Sequence, residues 1–150
     1  MPFLYAAAGQ PWKTEFWTRT ACAELYNSGP QGYAGDEDNG SAASWYILSA
    51  LGFYPLTPGH PTYVLTSPAF QRATIELPGG KTFVVSSPGN DPKKIYVSGR
   101  TLNGQPLTKT WISHQAIVSG GVLAVAASDR PHERVVADND LPYSASTELR

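Results

Sequence analysis

Three consecutive carboxylates form the densest chemical feature of the sequence. Asp36, Glu37 and Asp38 lie between Gly35 and Asn39-Gly40, immediately before an apolar run. Neighbouring like charges repel, so water, a cation or hydrogen-bond donors must compensate them. Two carboxylates two residues apart can also face one polar cleft. There, one or both could deprotonate a water molecule as the general base that hydrolysis of a glycosidic bond requires.

Two other interpretations of these acids remain open. In the first, the loop is solvated, and its acids favour the positive N-terminus of a helix that begins at Ser41. In the second, the loop binds calcium, although the spaced ligands and closing glutamate of an EF-hand are absent. The acids alone do not decide between the three.

Aromatic residues are the second chemical feature, at 11% of the chain. Exposed rings beside acids suit sugar binding, because the apolar face of a pyranose lies against them. The helical spacing of Trp12, Phe16 and Trp45 instead indicates a place in the core.

The histidines and the cysteine indicate no site. His60, His114 and His132 are far apart and have no metal-ligand spacing. Cys22 is the single cysteine, so an internal disulfide and a cysteine-based zinc site are both excluded. We expect Cys22 to be a small buried residue.

Composition excludes several classes of partner. The 150 residues carry a formal net charge of −1, which gives no electrostatic basis for binding nucleic acid or an anionic membrane. The longest apolar stretch, 45–54, is too short to span a bilayer. A hydrophobic content of 41% predicts a folded core.

The first third of the sequence predicts two helices. One begins at Pro11, where the missing N–H costs nothing, and ends before the stop signal Asn27 to Pro30. The other runs from Ser41 to Leu51 with Gly52 as its cap. The second helix is apolar on every face, so it must be buried on all sides. One other helix cannot provide that burial, which indicates missing neighbours.

After Pro55 the apolar period changes to two, which is typical of strands. Asn103-Gly104 predicts a tight hairpin between strands at 100–102 and 107–112, and His114 to Val118 predicts one helical turn. The other predicted strands are 63–66, 73–77, 82–85, 94–97 and 122–126. The fold class is therefore α+β: a helical segment (1–55), a small antiparallel β module (56–127) and a polar tail that frays (128–150).

Two stretches of the sequence resemble the C-terminal part of the family 92 glycoside hydrolases, the calcium-dependent exo-acting α-mannosidases. The first, Ala8-Gly9-Gln10-Pro11-Trp12-Lys13-Thr14, is similar to the family's Gly-Gln-Pro-x-Lys-Thr segment. The second joins Gly35-Asp36-Glu37-Asp38-Asn39-Gly40 to Ser44-Trp45-Tyr46 and Gly52-Phe53-Tyr54-Pro55. Weaker matches extend the resemblance over about residues 3–125. Ala42-Ala43 departs from the family, which usually has Met-Ser there.

The resemblance implies a fold and an activity. Segment 1–55 would be the last two helices of a catalytic (α/α)6 barrel, and 56–127 a terminal β segment beside it. The activity implied is hydrolysis, with inversion, of terminal α-mannosyl linkages of mannans or N-glycans. Ca²⁺ is the implied cofactor of the intact enzyme, and its ligands are not assigned in this chain.

The resemblance also implies site residues. Asp36 and Asp38 match the aspartates assigned as general base. Glu37 would shape the loop and contact substrate, and we expect Gln10, Lys13 and Thr14 to approach the same cleft. The family's catalytic acid, a glutamate, has no match in this chain.

We therefore expect a C-terminal fragment, or a truncated relative, of such an enzyme. The isolated chain is predicted to be inactive, and its expected partners are a mannose-containing oligosaccharide and the missing N-terminal part. Family habit implies a bacterial periplasmic or secreted location. The alternative is a non-catalytic carbohydrate-binding or structural β module.

Overall fold

A computed structural model describes residues 2–148 of the chain, with side chains described as far as residue 146. Residues 149 and 150 of the predicted tail lie outside the described residues. The N-terminal part contains three helices: α1 (Leu4–Ala7), α2 (Pro11–Glu24) and α3 (Ser41–Leu51). The chain is thus α+β, with helices first and strands after, as the sequence predicted.

Helix α2 buries a polar face. Thr14, Glu15 and Thr18 are buried, whereas Trp17 is 46% exposed. Trp12 and Phe16, which the sequence placed in the core, are half-buried. The apolar period of the sequence therefore marks a face of α2 that this chain leaves open.

Helix α3 has the predicted bounds. It ends at Gly52, whose φ of 102° favours glycine and whose N–H donates to Leu48 and Ser49 carbonyls. Leu48 and Leu51 pack on the core, but Ile47 is 56% exposed. The expected burial on all sides is not provided by residues 2–148. None of the helices in this range has the length and apolar content needed to cross a bilayer.

Within residues 2–148, eight strands form two sheets. The first sheet has the order β1-β2-β7, and the second has the order β3-β4-β8-β5-β6. The strands are β1 (Phe53–Tyr54), β2 (Thr62–Leu65), β3 (Arg72–Glu76), β4 (Thr82–Ser86), β5 (Tyr96–Leu102), β6 (Gln105–Pro106), β7 (Trp111–Ser113) and β8 (Gly121–Ser128). A short helix, α4 (His114–Val118), follows β7 at the predicted position.

The β module differs from the prediction in three places. It is not wholly antiparallel, because β4 and β8 pair in parallel. The two strands expected at 94–97 and 100–102 are one strand, β5, with an irregularity between Val97 and Gly99. The hairpin at Asn103-Gly104 forms, with φ of 51° and 80°. The strand expected at 107–112 does not, because pairing stops at Pro106 and β7 joins the other sheet.

One core connects both sheets to α3. Its centre includes Phe83, which is fully buried, and Leu123, with Leu48 and Leu51 packed against the cluster. A smaller cluster places Phe3 against Val64 and half-buried Trp45. Helices and strands therefore share their apolar contacts rather than forming separate cores.

Part of the tail is attached to the β module. The Asp140 carbonyl accepts from both the N–H and the hydroxyl of Thr110, at 2.9 and 2.8 Å. The Tyr143 ring stacks on His60 with centroids 3.9 Å apart. Fraying of 128–150 in solution, and the boundaries at 55 and 127, stay predictions.

A buried ion pair joins α2 to the second sheet. Arg100 Nη2 on β5 donates to Glu15 Oε1 at 2.9 Å, and the side chains are 5% and 3% exposed. The Val97 N–H donates to the other Glu15 oxygen at 3.0 Å. Burial raises the pKa of Glu15, and the Arg100 charge opposes that rise. Because an unpaired buried charge is costly, this pair fixes α2 against the sheet.

Removing one charge of this pair is expected to destabilise the chain strongly. Glu15→Gln leaves Arg100 buried without a counter-charge, so the free energy of unfolding should fall by about 3–5 kcal/mol. Equilibrium unfolding in urea, followed by circular dichroism, measures the loss.

The matched control is Glu24→Gln, at an exposed position of the same helix. It should change the free energy of unfolding by less than about 0.5 kcal/mol. The double variant Glu15→Gln/Arg100→Met should recover part of the loss. Equal effects of the two glutamate variants would contradict the assigned role of the pair.

Candidate functional site

The acidic loop makes a sharp left-handed turn immediately before α3. Asp38, Asn39 and Gly40 have φ of 55°, 57° and 93°, three successive residues in the left-handed region. Aspartate and asparagine adopt this region more readily than other residues with side chains, and glycine adopts it freely. The order Asp-Asn-Gly therefore suits the turn that leads into the helix.

Glu37 caps the N-terminus of α3. Its Oε1 accepts the Ala43 N–H at 2.9 Å, and its Oε2 accepts the Gly40 N–H. Its backbone carbonyl accepts the Ala42 N–H at 3.1 Å. These bonds satisfy N–H groups that helix geometry leaves without a partner, and the negative charge suits the helix dipole. Both carboxylate oxygens therefore hold the loop, and contact of Glu37 with substrate stays a prediction.

Asp36 and Asp38 have the opposite environment. Both residues are exposed, and among residues 2–148 neither carboxylate makes a hydrogen bond or ion pair. Because Glu37 caps the helix, the two flanking carboxylates remain available to a solute. None of residues 35–40 lines the clefts beside Gln10 and Phe70.

Aromatic rings connect the end of α2 with the start of α3. Tyr26 stacks on Trp45 and Tyr46, with ring centroids 5.7 and 5.0 Å apart. Tyr33, which is 43% exposed, meets Tyr26 edge-on at 6.1 Å. These contacts hold the two ends of the segment that carries the acids.

The three candidates at the start of α2 differ in their burial and in their contacts. Thr14 is fully buried, and its hydroxyl accepts the Ala6 N–H and donates to the Pro2 carbonyl, both at 2.9 Å. Lys13 Nζ lies 5.0 Å from the centroid of the Trp12 ring. Gln10 lines a cleft of about 400 Å³ with Trp12, Lys13 and residues 133–135. Among residues 2–148, no hydrogen bond, ion pair or ring contact joins these candidates to the acidic loop. Their predicted approach to substrate stays a prediction.

Cys22 is not a nucleophile at neutral pH. Burial raises the pKa of its thiol to about 11, and Arg19 opposes the rise. A thiol with that pKa is almost entirely protonated at pH 7. The half-buried position agrees in part with the small buried residue that the sequence predicted.

A second polar cluster was not predicted from the sequence. Arg19 Nη1 donates to the Pro68 carbonyl and to Asn90 Oδ1, the latter at 3.1 Å, at the base of a cleft beside Phe70. The available signal was the four-residue spacing of Glu15 and Arg19, which places both on one face of α2. Their partners lie 49 to 85 residues away along the chain, so no local pattern identifies them.

Comparisons with known proteins give the family. The model of the glycosyl hydrolase family 92 catalytic domain matches residues 1–129. A family GH92 inverting mannosidase of Bacteroides thetaiotaomicron, BT2199, is 43% identical, with a TM-score of 0.91 over 97% of this chain and 20% of that chain. The family GH92 α-mannosidase BT3965 of the same organism is 30% identical, with a TM-score of 0.90 over 96% of this chain and 20% of that chain.

A curated relative is described as an uncharacterized secreted glycosidase of Arthroderma benhamiae. It is 29% identical over 151 residues, which are 99% of this chain and 20% of the relative. The chain therefore spans about one fifth of the length of the relatives that it matches. Because the family model covers most of the chain, the chain belongs to glycoside hydrolase family 92.

Proposed function

We propose that the chain is the C-terminal part of an exo-α-mannosidase in which Asp36 and Asp38 activate the attacking water. One observation carries this proposal: two exposed carboxylates without partners flank a glutamate whose oxygens are fixed to the helix. Relatives described as an inverting mannosidase and as an α-mannosidase support the choice of sugar. The substrates we propose are terminal α-mannosyl linkages of mannans or N-glycans.

The chemistry follows from inversion. A carboxylate of the loop takes a proton from water, and the water oxygen attacks the anomeric carbon as the bond to the leaving oxygen breaks. A carboxylic acid protonates that leaving oxygen, and it must lie about 6.5–9.5 Å from the base to leave room for the water. The resemblance to the family implies a catalytic glutamate that has no match in this chain. We therefore place the acid in the part of the longer protein outside this chain.

Exposed apolar side chains on α2 and α3 support the proposal that the chain is part of a longer protein. Trp17 is 46% exposed and Ile47 is 56% exposed, and each lies on a helix whose other contacts are made within the chain. Burial of such side chains stabilises a fold by roughly 1.5–3 kcal/mol each. We propose that the preceding part of the protein covers them, and that α2 and α3 are the last helices of an (α/α)6 barrel.

Among residues 2–148, no cluster of acidic side chains offers a complete calcium site. Within the part of the chain that the structure describes, no group of three or more His, Cys, Asp or Glu side chains could hold a metal. Calcium takes six to eight oxygen ligands, and both oxygens of Glu37 are occupied by N–H groups. Calcium dependence remains our proposal for the longer protein, with ligands supplied mostly from outside this chain.

The second candidate function is a non-catalytic carbohydrate-binding module. The observation in its favour is that the buried residues of the main apolar cluster come from the strands and α4, and α3 adds only the partly buried Leu48 and Leu51. Full mannose release by the longer protein carrying Asp36→Asn and Asp38→Asn would favour this candidate. For location, we propose secretion or the periplasm, in line with the relative described as secreted.

The isolated 150-residue chain is expected to release no mannose. Without the acid, the leaving oxygen departs unprotonated, and general acid catalysis contributes about 10²–10⁴-fold. Incubation with an α-1,2-mannobiose and quantification of free mannose measures the rate. Turnover comparable with that of a complete family member would contradict the missing acid.

In the longer protein, Asp36→Asn and Asp38→Asn should each lower kcat by about 10²–10⁴-fold. Each change removes a carboxylate that can accept the proton of water while keeping the size of the side chain. The matched control is Asp129→Asn, at an exposed position just after β8, which should leave kcat within about twofold. Unchanged kcat in both loop variants would contradict the proposed base.

Glu37→Gln should lower kcat while preserving the pH profile. Glutamine offers one acceptor oxygen to two N–H groups, so the cap weakens and the free energy of unfolding falls by about 0.5–2 kcal/mol. The neighbouring aspartates, which we propose as the base, remain in the variant, so the acid limb of the kcat profile should remain. Loss of that limb would instead place Glu37 in the proton transfer.

A further inference from the structure

A preformed cleft lies between α2 and the strand module, away from the acidic loop. Its volume is about 590 Å³, within the roughly 300–1,000 Å³ of small-molecule sites. The helix contributes Arg19 and Glu24, and the module contributes Phe70, Gln71 and Asp91. No residue of 35–40 lines it.

The base of the cleft is held by hydrogen bonds. Asn90 is 4% exposed, its Oδ1 accepts from Arg19, and its Nδ2 donates to the Pro68 carbonyl at 3.1 Å. Gln71 Nε2 donates to the Asn90 carbonyl at 3.2 Å. Three segments distant in sequence are thus fixed together before a ligand binds. Binding therefore costs less entropy for ordering the residues of the cleft.

Charges of both signs lie along the cleft. Among its lining residues Arg19 is cationic and Glu24 and Asp91 are anionic. Lys94, outside the lining, places its Nζ 3.7 Å from Asp91 Oδ2. The four formal charges sum to zero. Such a rim gives no net attraction for a phosphate, a polybasic segment or an acidic peptide, and it favours a neutral ligand with both donors and acceptors.

Phe70 adds a flat apolar surface at the same opening. It is 49% exposed although most aromatic side chains of its size pack inside proteins. A sugar ring has one apolar face of C–H groups and a rim of hydroxyls, each of which donates and accepts. The combination of an exposed ring with carboxylate, amide and guanidinium groups matches that surface.

We propose that this Phe70 cleft is a second saccharide-binding site, separate from the acidic loop. A sugar ring lies on Phe70, and its hydroxyls bond to the side chains of Gln71 and Glu24. In the longer protein the cleft holds a remote branch of the glycan whose terminal residue is hydrolysed, and this last step rests on the proposed function.

Calorimetric titration of the 150-residue chain with α-1,2-mannobiose tests the site. We expect a dissociation constant on the order of 1 mM, weakened about tenfold or more by Phe70→Ala. Phe70→Trp, which keeps a flat ring, should preserve binding, and glycerol, which has hydroxyls but no ring face, should give no saturable heat. Circular dichroism checks that each variant keeps its secondary structure.

Two controls separate this site from the catalytic proposal. Val122→Ala removes another exposed apolar side chain, 42% exposed on β8, and should leave affinity unchanged. Asp36→Asn/Asp38→Asn should also leave it unchanged, because the loop does not line the cleft. Binding that is insensitive to Phe70→Ala, binding lost in the aspartate variant, or no saturable heat with the disaccharide would each overturn the site. None of these results would bear on mannose release by the longer protein.

Discussion

The contact between Glu15 and Arg100 sets the relative position of the helices and the sheets. Neither charge can remain buried without the other, so α2 is held where its glutamate reaches β5. Arg100 also donates to the Thr66 carbonyl at 3.3 Å, and the Thr66 N–H donates to the Gly52 carbonyl at the end of α3. The ion pair and these two hydrogen bonds thus connect α2 with the end of β2 and the end of α3. The orientation of α3, and of the acidic loop at its other end, depends on these contacts.

The buried face of α2 is mostly polar, and the Trp17 side chain of the same helix is exposed. Thr14 and Glu15 bond to the N-terminal segment, Val97 and Arg100. Phe16 adds a ring that stacks on Tyr96 of β5. A helix that presents both faces to partners is usual inside a layered domain and unusual at its surface. This is the arrangement expected of a segment that matches one fifth of longer relatives.

Short sequence motifs predicted the helices and the hairpin. They did not predict the pairing of residues that are distant in sequence. Pro11, Gly52 and Asn103-Gly104 act through their own backbone geometry, and the two main helices and the hairpin therefore form where the sequence indicated. The parallel pairing of β4 with β8 could not be foreseen, because side chains alternate in the same way in parallel and antiparallel strands. The pairing of Glu15 with Arg100 spans 85 residues and depends on tertiary placement alone. For the site, the sequence identified the acids but gave no information on which of them the helix would engage.

The division of the three acids follows from the geometry of the helix start. Three adjacent negative charges are tolerable because the middle one is compensated by the N–H groups of Gly40 and Ala43. That compensation reduces the repulsion that Asp36 and Asp38 experience without using either of their carboxylates. The left-handed turn at Asp38 and Asn39 is needed to bring Glu37 back over the helix start. A single structural requirement, capping α3, therefore both stabilises the loop and leaves two carboxylates exposed. The middle residue accepts from backbone N–H groups and the outer two are exposed to solvent, so the three acids are not interchangeable.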